Sequence, residues 1–307
     1  MSGNIIATNN QSLIMNNSIK KYTVVGMGEV LWDMLPTGKV LGGAPVNFAY
    51  HAMQLGAVGV AISAVGDDEL GREIMNTVNE KGIRNCIAIN KYPTSTVGVT
   101  LKEGKPEYTI YENVAWDFIE LLPEAIQILK ETDAVCFGTL AQRSWVSHES
   151  IMLALKLVPG HCLKVYDINL RQKYYSKELI HESLSLANIF KINDDEVEIF
   201  KELFGLEGTE AEVCQKIKET YSLDYLALTK GESGSFLFGN DEVSFVPTPL
   251  VTVEDTVGAG DSFTSAMVMG ILNQRPLKEI HQKAVEISAF VCTQKGATPA
   301  IPAELLK

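Results

Sequence analysis

The chain has 307 residues, of which 46% are hydrophobic and 21% are charged, values that are ordinary for a globular protein. Its formal net charge of −12 argues against nucleic acid or an anionic membrane as a partner, since both repel an acidic surface. The five cysteines and five histidines lack disulfide or zinc spacing, and no apolar run is long enough to span a membrane, so we expect reduced thiols in a cytoplasmic protein.

Residues 1–19 are polar and rich in asparagine, and they lack the basic, apolar and cleavage regions of a signal peptide. We predict a flexible tail there and a single domain over residues 20–307. Because the regular pattern starts abruptly at Lys20, translation could instead begin at Met15. The intact mass of the natively expressed protein would distinguish the two starts.

Strand-like and helix-like segments alternate along most of the chain. The pattern predicts, in chain order, strand 22–28, helix 44–55, strand 58–65, helix 69–81 and strands 134–137, 164–168, 189–192 and 225–228. This alternation predicts an α/β fold, in which a mostly parallel central sheet carries helices on both faces.

Two half-polar segments, near 31–41 and 96–115, interrupt the alternation. The second one alternates apolar and polar residues on both sides of the sequence EGKP, as a hairpin does. We expect both segments to form a small β lid over an active site. An edge extension of the main sheet is the alternative.

The segment DTVGAGD, from Asp255 to Asp261, precedes small and apolar residues at helical spacing. Gly258 and Gly260 allow a tight turn with unshielded N–H groups, and a helix N-terminus attracts an anion. A carboxylate at the same turn could take a proton from an attacking hydroxyl, and phosphoryl transfer requires that combination. From the residues alone, a glycine turn with Asp261 as a plain helix cap is the alternative.

A second group of polar residues and glycines lies near the N-terminus. The pair Gly42-Gly43, before a predicted helix, would let a ligand approach the backbone closely. Asn47 could hydrogen-bond ligand hydroxyls, and the carboxylate of Asp33 could accept from two neighbouring hydroxyls. An exposed helix residue and a turn carboxylate are the respective alternatives.

These two motifs, GGAPVN at 42–47 and DTVGAGD at 255–261, together resemble the ribokinase-like, or PfkB, family of carbohydrate kinases. The resemblance runs from about Lys20 to Pro302 and implies a ribokinase-like fold, ATP as the donor and a sugar hydroxyl as the acceptor. It implies that Asp261 is the general base and that the amides of 258–260, including Ala259, form the anion hole. It also implies a sugar site containing Asp33, Gly42, Gly43 and Asn47.

The same resemblance assigns residues to the nucleotide and its metal. Asn193 and Glu196 match an N-x-x-E motif whose glutamate acts on Mg²⁺ through water, although the pair also fits a helix capping box. A nucleotide loop of the form T-x-G-x-x-G is matched by Thr229, Gly231 and Gly234, and a glycine hairpin would look the same.

A monovalent cation is also implied. In many members of the family, backbone carbonyls of the last loop hold it together with the residue matched here by Asp255, so K⁺ is expected. Ala300 lacks a side-chain oxygen that some members supply there. Lid strands of the family often pair across a dimer, which makes a homodimer the expectation.

Two segments resemble the fructokinase branch of the family: GTLAQR, which ends at Arg143, and YDINLR, which ends at Arg171. Arg171 would direct a planar cation at phosphate or sugar oxygens, and a surface salt bridge is its alternative role. We expect D-fructose to be phosphorylated at O6. The second candidate is 2-keto-3-deoxygluconate, whose carboxylate both arginines could bind, and other hexoses, ribose and nucleosides stay open.

The sequence disfavours two other classes of function. A catalytically silent sugar sensor on the same fold would have lost the base or the anion-hole glycines, and here both are intact. A dinucleotide-dependent oxidoreductase would carry G-x-G-x-x-G after the first strand. The segment 26–31 lacks the third glycine.

Overall fold

The computed structural model describes residues 21–35, 38–102 and 105–306. The predicted tail at 1–19, with the alternative start at Met15, lies outside the described residues. Of the helices that the structure describes, none is long and apolar enough to cross a membrane.

Strands and helices alternate through the described chain. The strands are β1 (Thr23–Met27), β2 (Leu31–Leu35), β3 (Gly38–Gly42), β4 (Val58–Gly66), β5 (Arg84–Asn90), β6 (Thr96–Lys102), β7 (Lys105–Ile110), β8 (Ala134–Gly138), β9 (Leu163–Asp167), β10 (Ile189–Asn193), β11 (Tyr225–Thr229), β12 (Ser235–Phe238) and β13 (Val243–Val246). The helices are α1 (Ala44–Gln54), α2 (Glu69–Glu80), α3 (Pro123–Leu129), α4 (Trp145–Leu157), α5 (Lys177–Leu186), α6 (Asp194–Phe204), α7 (Glu210–Thr220), α8 (Ala259–Leu272) and α9 (Leu277–Cys292). Short 3₁₀ turns cover Ala115–Phe118 and Leu140–Arg143.

Among the described residues, the main sheet has nine strands in the order β13-β12-β11-β10-β9-β8-β1-β4-β5. The strands from β11 to β5 pair in parallel, and β12 and β13 pair in antiparallel orientation. The predicted α/β fold with a mostly parallel sheet is confirmed.

The core lies on both faces of this sheet. Val24 and Val25 are neighbours in β1, yet they belong to separate buried clusters, because successive side chains of a strand point to opposite faces. Phe190 lies in the cluster on one face, and Phe48 of α1 and Phe263 of α8 lie in the cluster on the other. Apolar runs buried on both faces are what a parallel sheet requires.

The two segments predicted to form a lid make a sheet of their own, in the order β3-β2-β6-β7. Asp33 of β2 lies opposite Val40 of β3 and Val97 of β6, and Val97 lies opposite Ile110 of β7. An edge extension of the main sheet is therefore wrong. The strands of the second segment end at Ile110, and a 3₁₀ turn begins at Ala115.

This arrangement brings several polar residues to one edge. The parallel strands β1, β8, β9 and β10 end at the same edge of the sheet, where ligands bind in open α/β folds. Glu29 follows β1, and Asp167 and Asn193 are the last residues of β9 and β10. The lid sheet begins just beyond Glu29, so it rises from this edge.

Candidate active site

The turn that starts α8 has the shape that the glycine motif predicts. Gly258 caps the helix in the left-handed conformation, with φ of 79°. A Cβ atom there would lie 2.5 Å from the carbonyl oxygen of Ala297, so both the conformation and the contact require glycine. The helix begins at Ala259, and its first N–H groups have no acceptor one turn earlier in the helix. Of these, the N–H of Ala259 makes a long 3.3 Å contact with the carbonyl of Thr256.

Asp261 lies in the first turn of α8 and is half-buried. Asn47 Nδ2 donates to Asp261 Oδ2 over 2.9 Å. Burial, and next the negative charge of Asp167, raise the pKa of Asp261 to about 6, against the opposing effects of Asn47, Lys191 and Arg171. The group is thus ionised at neutral pH and basic enough to accept a proton, as a general base needs to be.

A cavity opens in front of Asp261. Its lining residues come from the strand ends and from α1 and α8: Glu29, Ala44, Pro45, Phe48, Cys136, Phe137, Gly138, Asp167, Asn169, Asp261 and Thr264. Burial, and to a lesser degree the charge of Asp261, raise the pKa of Glu29 to about 7. Glu29 Oε2 and Asn47 Oδ1 are buried without a hydrogen-bond partner among the described residues. Each is an acceptor that a ligand hydroxyl could satisfy.

A buried ion pair lies beside the cavity. Lys191 Nζ donates to Asp167 Oδ1 over 3.2 Å, and the hydroxyl of Thr264 donates to Asp167 Oδ2 over 3.0 Å. A Cβ atom added to Gly260 would lie 3.2 Å from Lys191 Nζ. Burial alone would lower the pKa of Lys191, but Asp167, Glu196 and Asp261 together raise it. A fixed positive charge therefore lies directly behind the glycine turn.

Asp33 and the glycine pair lie together at the start of the lid. Gly42 lies across from Leu31 in the lid sheet, and a Cβ atom on Gly42 would clash with the carboxylate of Asp33. Burial raises the pKa of Asp33 to about 6, while the positive charge of Arg171 opposes that rise. Gly43 caps α1 with φ of 117°. The close approach of Asp33 therefore accounts for the need for glycine at position 42. The approach of a sugar to this pair of glycines stays a prediction.

Arg171 lies close enough to the acidic residues of the site to influence their ionisation. It follows β9 on an exposed turn, and its charge lowers the pKa values of Glu29, Asp33 and Asp261 relative to what burial alone would give. Its Nη1 donates only to the carbonyl of Leu170, its neighbour in the chain. Among the residues that the structure describes, the guanidinium donates to no side chain of the site.

Arg143, in contrast, belongs to another cavity. It forms a two-pronged ion pair with Asp117 and lines a second cavity together with Tyr174 and Lys173. It does not line the cavity in front of Asp261. This placement removes one of the two arginines that favoured a carboxylate substrate.

The N-x-x-E pair caps α6. Asn193 accepts from the N–H of Glu196, and Glu196 Oε2 accepts from the N–H of Asn193 over 2.9 Å, which is the capping-box arrangement. Glu196 Oε1 accepts from the N–H of Leu170 over 2.8 Å. Each carboxylate oxygen keeps an unused lone pair, so the group suits a magnesium ion held through water. Within the described ranges, no cluster of three or more acidic, histidine or cysteine residues could hold a metal directly.

The T-x-G-x-x-G segment joins two antiparallel strands. Thr229 ends β11, a 3₁₀ turn covers Gly231–Ser233, and β12 follows Gly234, so the hairpin geometry is observed. The carbonyl of Gly231 accepts from the hydroxyl of Thr248. Nucleotide binding by this hairpin stays a prediction.

Asp255 connects the glycine turn to the last loop. Its Oδ1 accepts from the N–H of Val257 and its Oδ2 from the N–H of Gly296, both over 3.0 Å. These contacts explain the position of Asp255 without a cation, and a cation role stays a prediction.

Comparison with known proteins identifies the family of the chain. The family model for pfkB family carbohydrate kinases matches residues 25–304. The chain belongs to the PfkB family of carbohydrate kinases. The predicted family is confirmed, and the chain is therefore a sugar kinase.

Several relatives cover nearly the whole chain. Fructokinase-1 of Oryza sativa subsp. japonica is 27% identical over 92% of this chain and 95% of its own length. The crystal structure of a sugar kinase from Pyrococcus horikoshii in complex with ATP is 27% identical, with a TM-score of 0.76 over 90% of this chain and 94% of that one. A fructokinase from Xylella fastidiosa with bound ATP shares the fold, with a TM-score of 0.82 at 20% identity over 94% of this chain and 98% of that one.

Three residues in or beside the cavity were missed by reasoning from the sequence. Glu29 and Asp167 line it and belong to segments that resemble the family, in which Asp33 and Arg171 were predicted to bind the substrate. Lys191 carried a signal that could have been used, because a lysine inside the apolar run IFKI is costly unless it is paired.

Proposed function

We propose that the chain transfers the γ-phosphoryl group of ATP to O6 of D-fructose, forming fructose 6-phosphate and ADP. The observation that carries this proposal is the half-buried carboxyl of Asp261 on the first turn of α8, beside the Gly258–Gly260 amides and hydrogen-bonded to Asn47. A positioned base and a preorganised set of donors are the two parts that phosphoryl transfer needs.

In this proposal, Asp261 accepts the proton of the attacking hydroxyl while the amides of 258–260 stabilise charge on the transferred group. Lys191, behind Gly260, adds a fixed positive potential. The sugar binds between Asp33 and Asn47, where Asn47 Oδ1 and Glu29 Oε2 are buried acceptors without partners in the described structure. The lid sheet closes over the sugar and excludes water, which would otherwise compete for the phosphoryl group.

Particular residues are proposed to bind the nucleotide and its ions. Asn193, Glu196, Thr229, Gly231 and Gly234 are proposed to lie on the ATP side. Magnesium would neutralise phosphate charge, with Glu196 acting through water, which its backbone-anchored carboxylate suits. A K⁺ ion near Asp255 is proposed from the family alone.

Fructose is favoured over the runner-up by two observations. The named fructokinase of rice is 27% identical over almost the full length of the chain. Arg143 is committed to Asp117, so only Arg171 is left to meet the carboxylate of 2-keto-3-deoxygluconate. A silent sensor is disfavoured because Asp261 and the glycine turn have the arrangement that catalysis requires.

The test is an ADP-release assay with fructose, 2-keto-3-deoxygluconate, ribose, tagatose and adenosine, with and without K⁺. We expect the highest kcat/KM with fructose, and ³¹P NMR of the product should show a phosphate on O6. A preference for the ketodeoxy acid would replace fructose with the runner-up. Sugar binding by calorimetry without ADP release on any acceptor would instead establish a sensor. Light scattering in the same buffer tests the proposed homodimer.

A further inference from the structure

A buried arginine lies beneath the lid, outside the cavity that contains Asp261. Arg143 ends the 3₁₀ turn that follows β8, and Asp117 lies in the 3₁₀ turn that follows the lid strand β7. Arg143 Nε donates to Asp117 Oδ1 over 2.7 Å, and its Nη2 donates to Asp117 Oδ2 over 2.9 Å. The two side chains are only 5% and 4% exposed. A desolvated, two-pronged pair of this kind fixes geometry as well as charge.

Two aromatic rings contact the guanidinium. The ring centre of Trp116 lies 3.9 Å from the guanidinium carbon of Arg143, and that of Tyr174 lies 4.7 Å from it. Both distances fall within the range of cation–π contacts. The arginine therefore has little freedom to adopt another position.

From this fixed position Arg143 reaches the lid. Its Nη2 donates to the carbonyl oxygen of Tyr111 over 2.5 Å. Tyr111 directly follows Ile110, the last residue of β7, and Ile110 lies opposite Val97. Val97 in turn lies opposite Asp33, the proposed sugar ligand. The contact thus anchors the lid at the level of Asp33.

The same cluster also reaches the turn that carries Arg171. The N–H of Tyr174 donates to the carbonyl of Arg171 over 3.1 Å. The hydroxyl of Tyr174 donates to Glu112 Oε1 over 2.8 Å, one residue beyond Tyr111. Tyr174 is therefore joined to the end of the lid strand, to Arg143 and to Arg171.

We propose that Arg143 is a positioning residue that holds Asp33, on the lid, and Arg171, on the turn after β9, at a fixed separation across the sugar site. We call Asp117, Arg143, Tyr174 and Glu112 the lid clamp. Its role rests on the proposed function, because it aligns two groups that the proposal assigns to the sugar. The alternative is that the clamp only stabilises the fold.

The two roles differ in what they change. A clamp that aligns Asp33 with Arg171 affects the KM for the sugar and leaves the KM for ATP unchanged, because neither residue lies on the proposed ATP side. General support of the fold would instead lower thermal stability and affect both substrates together. Comparison of the two KM values with the melting temperature therefore separates the roles.

Arg143→Ala would leave the buried carboxylate of Asp117 without its positively charged partner and could prevent folding, so milder variants are chosen. Tyr174→Phe keeps the ring against Arg143 and removes only the hydroxyl bond to Glu112. We expect it to raise the KM for the sugar by about three- to tenfold, the usual consequence of losing one ordinary, solvent-exposed hydrogen bond. Arg143→Lys keeps the positive charge but loses the two-pronged hydrogen bond to Asp117. We expect this variant to raise the KM for the sugar by about tenfold or more.

Hydrogen exchange provides a readout that does not require activity. In the sugar-free protein, both variants should exchange the amides of 109–112 faster than the wild type, while the amides of β10 are unchanged. Arg84→Gln is the matched control, because Arg84 forms an exposed ion pair with Glu124 over 2.6 Å, away from the clamp. This control should have the wild-type KM for the sugar and wild-type hydrogen exchange at the amides of 109–112.

Wild-type sugar KM and wild-type exchange at 109–112 in both clamp variants would overturn the proposal. Equal losses for sugar and ATP together with a lower melting temperature would overturn it as well, in favour of simple fold support. If the wild type phosphorylates none of the sugars, the proposed function fails, whereas the exchange experiment still tests whether the clamp holds the lid.

Discussion

Asn47 and Asp261 are separated by 214 positions in the chain, and the amide of Asn47 donates to the carboxylate of Asp261 over 2.9 Å. The contact joins the N-terminal motif, proposed to bind the sugar, with the C-terminal motif that carries the proposed base. It also favours the ionised form of Asp261 within a buried site. A residue that holds both the substrate and the base would bring the hydroxyl and its proton acceptor together.

Asp261→Asn removes the proposed base while preserving the size of the side chain. We expect kcat to fall by about 10²–10⁴, the usual contribution of a positioned base. The affinity for ATP should change little, because the glycine turn stays intact. Steady-state ADP release and ATP titration measure the two quantities. Asp195→Asn, at an exposed position on α6, is the control. Turnover close to that of the wild type would remove Asp261 from the role of base.

The pKa of Asp261 predicts the acid limb of the activity profile. Because only the ionised carboxyl accepts a proton, kcat/KM should fall as the pH drops through about 6. Stability has the opposite dependence, since the folded-state pKa lies above the ordinary value of 3.8. The contribution of this group to stability is complete below pH 3.8 and is lost as the pH rises through about 6.

Asn47→Leu tests the cause of that profile. Loss of the amide donor raises the pKa of Asp261, so the acid limb should move to higher pH. A rise in the KM for the sugar should accompany the move if Asn47 Oδ1 also accepts from a hydroxyl. The pH dependence of kcat/KM measures both effects. An acid limb at the wild-type position would show that Asn47 does not influence the base.

Lys191→Met removes the buried positive charge behind Gly260 and leaves Asp167 without its partner. We expect the free energy of unfolding to fall by about 3–5 kcal/mol, as when one member of a buried ion pair is removed. The double variant Lys191→Met/Asp167→Asn should recover part of that loss, because the unpaired charge is gone. Urea unfolding measures the stabilities.

The single variant Lys191→Met should also affect catalysis. Without the positive charge of Lys191, the pKa of Asp261 rises, and the acid limb moves to higher pH. An acid limb at the wild-type position in Lys191→Met itself would restrict the ion pair to a structural role.

Arg171→Ala should leave the fold intact, because the side chain is exposed and, within the described part of the chain, donates only to its neighbouring carbonyl. We expect the KM for the sugar to rise by about tenfold, as for the loss of a charged hydrogen bond. Circular dichroism checks the fold and initial rates give the KM. Kinetics identical to those of the wild type would show that Arg171 does not bind the substrate and is only a surface cation.

Much of the fold was predictable because it follows from local patterns. The apolar runs that became β8, β9 and β10 are short and bounded by polar residues, which is typical of strands buried on both faces. The glycine turn before α8 was predictable for the same reason, since Gly258 has a conformation that few other residues adopt. These features depend on neighbouring residues, and so the sequence determined them.

The cavity depended on contacts between distant segments. Asp167 and Lys191 come from different strands, and their pairing beneath Gly260 follows from the strand order β10-β9-β8-β1. Arg143 could have faced a substrate or another side chain, and only the folded position of Asp117 decided between them. The sequence by itself determined the layers of the fold and the glycine turn at the base. The tertiary structure decided which charges are paired and buried, because the energy of a charge depends on its neighbours in space and on how far water is excluded.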